Sequence, residues 1–219
     1  PIQGEGGYVV PAKSFVKGVH DICTKYGILL IFDEIQSGYG RTGKMFAGEN
    51  FDIIPDIMTI GKAIAGGLPM SAVVSTPEIM EEWHAGMHGT TFGGNPVCMA
   101  ASQAVLDVMR DEDTMGNAKR VGTAFKSAVQ GLQTTHACIG DVRGAGLYIG
   151  CEIVKPGTDA PDQRTALDLL EALRNHHVLT SVCGRYGNIL KLRPPLVFSE
   201  QDVDWFMDAF VMSLHDLCV

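Results

Sequence analysis

Apolar residues recur along this chain with two different periods. From Ser14 to Tyr26, Phe15, Val16, Val19 and Ile22 fall at helical spacing, and Gly27 punctuates the stretch. Ile28 to Phe32 is an unbroken apolar run of strand length. That is the pattern of a parallel strand covered on both faces, and it leads straight into Asp33 and Glu34. Pro55 to Ile60 and Met70 to Ser75 read as two further short strands. A polar, Gly-rich loop from His88 follows. Asn95 is placed to cap a helix that opens at Pro96 and runs to Met109. Another helix spans Thr114 to Leu132, with Gly116, Gly122 and Gly131 working against its interior.

After Thr135 the texture changes. Two short strands flank Gly144 to Gly146, and Gln163 to His176 is an amphipathic helix. His177 to Gly184 and Asn188 to Phe198 are strands, and Glu200 to Leu217 is a closing helix. The expected fold is therefore an α/β layered part over residues 1–114 and an α+β part over 115–219, with the boundary between 112 and 118.

Composition narrows the function. The chain has 219 residues, 46% of them hydrophobic, with a net charge of −8 and no basic stripe, which argues against nucleic acid as a partner. Its apolar runs are too short for a membrane span, and no signal peptide opens it. Cys23, Cys98, Cys138, Cys151, Cys183 and Cys218 form no CxxC pair and no zinc spacing. They read as free, mostly buried thiols of a cytoplasmic protein with no metal centre. The chain starts at Pro1, in "PIQGEGGYVVP", which reads like the middle of a domain and suggests a C-terminal piece of a longer protein.

An ionised carboxylate beside a core is costly without a cationic partner, so Asp33 needs one. Lys62 also follows a strand, 29 residues on. Ligands of open α/β sheets sit beyond the carboxyl ends of the strands. Two readings stand: an ordinary strand-end salt bridge, or an acid and an amine facing one ligand. Gly61, Gly66 and Gly67 surround Lys62, and a lysine that must approach a flat ligand benefits from such close backbone passage.

The blocks "DEIQSGYGRTGKMFAGE", "PDIMTIGKAIAGGLPMSAVV" and "HGTTFGGNPVCMAA", in that order, resemble the signatures of the class III aminotransferases. These are pyridoxal-phosphate (PLP) enzymes of the 4-aminobutyrate and ornithine type, with fold type I. "PIQGEGG", "RGAGLYIGCEI" and "LKLRPPL" extend the likeness to the family's C-terminal half. The resemblance implies the end of a PLP-binding large domain followed by a small domain. It implies transamination of an amine or ω-amino acid to a 2-oxo acid through a Lys62 Schiff base. Asp33 would pair with the pyridinium nitrogen, Gln36 would contact the ring oxygen, and Thr91 would bind the phosphate across a homodimer interface. Thr90 is a lesser candidate for that phosphate. Arg41 and Glu34 would be structural, Glu34 as a loop hydrogen-bonding partner.

Many family members place an arginine three residues before the Pro-Pro pair. Here Lys191 stands there, and Arg193 precedes Pro194 on the same strand face. Either would meet an anionic substrate group, and the exchange opens the way to a phosphate-bearing amine. A racemase or a phospho-amine lyase of the same fold is the alternative enzyme. A catalytically incomplete scaffold is the alternative of another class, because the family's N-terminal residues of the cofactor site are not in this sequence. A partner chain supplying that half would complete it.

Overall fold

The computed structural model describes residues 1–217. Cys218 and the end of the expected C-terminal run lie outside them. The chain divides into two compact units, one of Pro1 with Pro11–Thr114, the other of Ile2–Val10 with the residues from Met115 onward. The N-terminal strap is the difference from a simple 1–114 and 115–219 split: Ile2–Val10 packs with the second unit.

In the first unit, α1 (Lys13–Tyr26) stops at Gly27, whose left-handed backbone (φ 65°) turns the chain back on itself. Strands β1 (Ile31–Asp33), β2 (Ile57–Ile60) and β3 (Ala72–Ser75) form a sheet in the order β1-β2-β3. β1 and β2 are parallel, with Asp33 opposite Thr59, whereas β2 and β3 are antiparallel. Each strand is shorter than its apolar run. A short helix α2 (Pro77–Met80) precedes α3 (Pro96–Asp111). Asn95 caps α3, its side chain accepting from the N–H groups of Val97 and Cys98 at 3.0 and 3.4 Å.

The burial expectation for the first strand is overturned. Ile28, Leu29 and Ile31 are exposed, with Ile31 at 56%, so β1 is covered on one face, through Phe32, and not on two. On α1 only Val16 is buried, while Phe15, Ile22 and Tyr26 face outward. An apolar pattern records which faces are to be covered, not whether this polypeptide supplies the cover.

The second unit contains α4 (Thr114–Gly131), β4 (Ile139–Ala145), β5 (Tyr148–Ile153), α5 (Gln163–Asn175), β6 (Val182–Cys183), β7 (Ile189–Leu192) and α6 (Glu200–Asp216). The sheet is antiparallel, in the order β4-β5-β7-β6. The expected strand over His177–Gly184 shrinks to two residues. Ile149, Cys151, Ile153, Leu190 and Leu192 join Phe125, Leu169, Leu173, Phe206 and Phe210 of the helices in one core. The alternate positions form the sheet's other face, where Tyr8 of the strap packs. A β-carbon on Gly150 would lie 3.0 Å from that of Tyr8. The rings of Tyr8 and Tyr148 meet edge to face at 4.6 Å.

α4 also closes the β4 edge. Lys126 donates to the carbonyl of Gly144 and Gln130 to that of Val142, and Gln133, just past the helix, donates to that of Gly140. Helical spacing on one side matches period two on the other, so the edge carbonyls are occupied and the strand is screened from further pairing.

Candidate functional site

Asp33 ends β1, and the ladder continues one residue further, with the Glu34 N–H donating to the Thr59 carbonyl at 2.9 Å. Lys62 begins the turn that leaves β2. The two residues therefore sit at the carboxyl ends of adjacent parallel strands, the edge where such sheets bind ligands. The two turns also approach each other: a β-carbon at Gly61 would lie 3.5 Å from Cγ2 of Ile35. Lys62 is exposed and adopts φ +48°, a left-handed conformation uncommon for a side-chain-bearing residue. Gly66 and Gly67, both at positive φ, carry the chain away behind it. Such strain persists where surrounding structure enforces it, and it concentrates at functional sites.

Asp33 is exposed, not enclosed at a buried strand tip, and its Oδ1 accepts from the Ile35 N–H at 3.0 Å. Solvent, with this Asx turn, makes its charge tolerable here, and no ion pair with Lys62 is required. The fully buried acid is its neighbour Glu34, 1% exposed, which binds Ser37 and Gly48. Gln36 is half-buried in the same turn.

Thr91 is exposed in the loop that leads to the α3 cap. A cavity of about 600 Å³ beside that loop is lined by Ser71, His88, Thr90, Phe92, Gly93 and Asn95. Thr90 lines this cavity and also packs tightly on Gly93, leaving no room there for a β-carbon.

In the second unit, Lys191 and Arg193 meet one carboxylate. Lys191 Nζ lies 2.5 Å from Glu5 Oε2, and Arg193 Nη1 lies 4.0 Å from Glu5 Oε1. β7 is an inner strand, and the Lys191 side chain is only 14% exposed, while Arg193 just past the strand is 35% exposed. Arg143 anchors the strap that carries Glu5. It donates to the Gly7 carbonyl at 2.8 Å and pairs with Glu152 at 2.6 Å and Asp141 at 2.9 Å. These carboxylates hold the Arg143 guanidinium above its ordinary pKa, although burial acts against this as the largest single influence. Tyr8 beside it is fully buried, and burial pushes its phenol well above the usual range. Neither Glu5 nor Arg143 was among the candidate residues. The signal available for Glu5 was its place in "GEGG", where small neighbours let a strap lie flat on the sheet.

Residues 1–214 match the model of the Aminotransferase class-III family, and the chain belongs to that family. Its members are PLP-dependent, and the fold is that of their mixed α/β type I architecture. The chain is 41% identical over 216 residues to the 4-aminobutyrate aminotransferase of Mycobacterium leprae, covering 99% of this chain and 48% of that protein. It superposes on the acetylornithine aminotransferase of Elizabethkingia anophelis with a TM-score of 0.89 at 39% identity, covering 99% of this chain and 53% of that one. An Arthrobacter phospholyase in complex with phosphoethanolamine gives a TM-score of 0.93 at 35% identity, covering 98% and 52%. The chain thus spans about half the length of the relatives it matches and corresponds to their C-terminal half. Among the described residues, the five cysteines from Cys23 to Cys183 are free thiols, and no helix is long and apolar enough to cross a membrane.

Proposed function

We propose that this chain carries the lysine-bearing half of a PLP-dependent transamination centre. The reaction moves an amino group from an amine or ω-amino acid of the 4-aminobutyrate type to a 2-oxo acid. The observation that carries this reading is the placement of Asp33 and a backbone-strained Lys62 at the ends of two adjacent parallel strands. The donor set fits the cofactor: an exposed carboxylate, a half-buried amide, a primary amine and loop hydroxyls beside a Gly-rich turn. Asp33, Gln36, Lys62 and Thr91 would hold it, with Thr91 reaching the phosphate of a second protomer's site in a homodimer. When bound, the cofactor supplies an electron sink for the carbon that bears the amino group.

The chain's own groups do the rest. Asp33 stabilises a positive charge on the ring nitrogen through its carboxylate. Lys62 Nζ would hold the cofactor and would take up and return a proton at the substrate carbon, as base and then acid. Gln36 donates to the ring oxygen. Lys191 and Arg193 take the anionic end of the substrate, and Glu5 holds both cations until an anion replaces it. A polypeptide equivalent to the relatives' other half completes the site and covers the apolar face of β1 exposed at Ile28, Leu29 and Ile31. The free thiols suit a cytoplasmic setting.

A phospho-amine lyase is the second reading. It is favoured by two cations converging on one carboxylate, an arrangement that suits a dianionic phosphate, and by the Arthrobacter relative. One experiment tests both. The chain is mixed with an N-terminal-half polypeptide and PLP, then assayed for a visible cofactor band. A band that Lys62→Ala abolishes supports the reading, and its absence in the wild-type mixture refutes it. Amino transfer from 4-aminobutyrate or release of phosphate from phosphoethanolamine then separates the two reactions.

A further inference from the structure

Glu34 follows the proposed cofactor acid directly, yet nothing in the reaction uses it. Its side chain is 1% exposed, which is costly for a carboxyl group unless its oxygens are bonded. Both are. Oε2 accepts from the Ser37 hydroxyl at 2.5 Å, and Oε1 accepts from the Gly48 N–H at 2.8 Å. Ser37 is itself 1% exposed. Gly48 lies in the short 3-10 turn Ala47–Phe51, so the second bond crosses the whole loop, joining its first residue to its far end.

The surroundings make this bridge hard to replace. A β-carbon at Gly48 would lie 3.1 Å from the Phe32 ring, so the loop end is pressed onto the β1 residue that precedes Asp33. A β-carbon at Gly38 would lie 2.8 Å from the Glu34 carbonyl, which accepts the Gly38 N–H at 2.9 Å. Between these fixed points lie Asp33, whose Oδ1 is held by Ile35, and Gln36.

We propose that Glu34 is a positioning residue for the cofactor site: by bridging Ser37 and Gly48 it fixes the turn that presents Asp33 and Gln36. This rests on the PLP reading for what the turn presents, but the bridge itself is testable without cofactor. Glu34→Ala removes both acceptors. Glu34→Gln retains one carbonyl oxygen for Gly48 and an amide that Ser37 can still meet. Ser37→Ala removes one bond only and guards against a Glu34→Ala chain that fails to fold.

Amide hydrogen exchange of the full chain without cofactor is the first readout. Exchange across residues 36–48 rises at least tenfold in Glu34→Ala, rises less in Ser37→Ala and stays near wild type in Glu34→Gln. Exchange in β4 to β7 is unchanged throughout. The second readout is PLP affinity of the complemented protein, weakened at least tenfold in Glu34→Ala and restored to within threefold in Glu34→Gln. Unchanged exchange in both Glu34→Ala and Ser37→Ala overturns the proposal. So does a loosened loop with undiminished PLP affinity. A wild-type mixture that binds no PLP refutes the cofactor reading instead, and the exchange result still decides whether Glu34 orders the turn.

Discussion

Gly122 sits in the middle of α4, where a glycine costs roughly 1 kcal/mol relative to alanine. The helix forms through it because of what lies opposite. A β-carbon at Gly122 would stand 2.1 Å from the Gly146 carbonyl oxygen, 2.2 Å from its carbon and 2.8 Å from its Cα. β-carbons keep at least 3.0 Å from their neighbours, so the helix or the β4–β5 turn must retreat by about 0.9 Å. All three obstructing atoms are backbone, so no rotamer change relieves the clash. Overpacking of this kind costs about 1–3 kcal/mol, and with backbone on both sides the upper value applies. Against a propensity gain of about 1 kcal/mol, Gly122→Ala is destabilising by about 2 kcal/mol. For a unit of this size that lowers Tm on the order of 10 °C. Gly131, at the end of the same helix, has a φ of −58°, and a β-carbon added there would meet nothing within 4 Å. Gly131→Ala therefore raises Tm by a few degrees, through propensity alone. Thermal unfolding followed by circular dichroism reads both variants of the full chain. A Gly122→Ala chain as stable as wild type or more so would refute the close-approach reasoning, since the clash would then cost no more than the roughly 1 kcal/mol that propensity returns.

Three further outcomes follow from particular contacts. Gln130→Leu leaves the Val142 carbonyl without its donor on the β4 edge, costing about 1 kcal/mol, read as a lower urea midpoint with increased aggregation. Asp162 is held below the usual carboxylate range, first by the Thr165 N–H, and Asp202 likewise by the Ser199 N–H. A depressed carboxylate stabilises the fold above its ordinary pKa of about 3.9 and loses that contribution as pH falls through the lowered value. Tm therefore declines on acidification below about pH 4, and Asp162→Asn makes that decline shallower. Glu5→Gln removes the internal anion facing Lys191 and Arg193, so in complemented enzyme KM for anionic donors falls while kcat holds. A half-exposed pair worth about 1 kcal/mol implies roughly fivefold.

Much of the layout was legible in the chain itself. Apolar spacing located α1 and α5, a closing helix was expected where α6 lies, and the Asn95–Pro96 pair fixed the start of α3 to the residue, because a cap and a proline are local requirements. Strand lengths were less legible. His177 to Gly184 has strand composition, yet only Val182 and Cys183 pair, since pairing depends on a partner strand. Of the candidate site, the motifs marked Asp33, Gln36, Lys62 and Thr91, but not which acid is buried. "DE" reads the same whichever carboxylate turns inward, and Glu34 is held by the nearby Ser37 hydroxyl together with the distant Gly48 N–H.

The sequence by itself determined the alternation of elements, the glycines that permit close passage, and the family to which those blocks belong. Only the tertiary structure decided that the Ile2–Val10 strap lies on the second unit, that Glu5 stands against Lys191 and Arg193, and that Glu34 closes its loop. The physical reason is range. Propensity, capping and turn chemistry act over a few residues and are written in local order. Glu5 and Lys191 stand 186 residues apart, and such a contact exists only once the packed sheet has brought its two ends together.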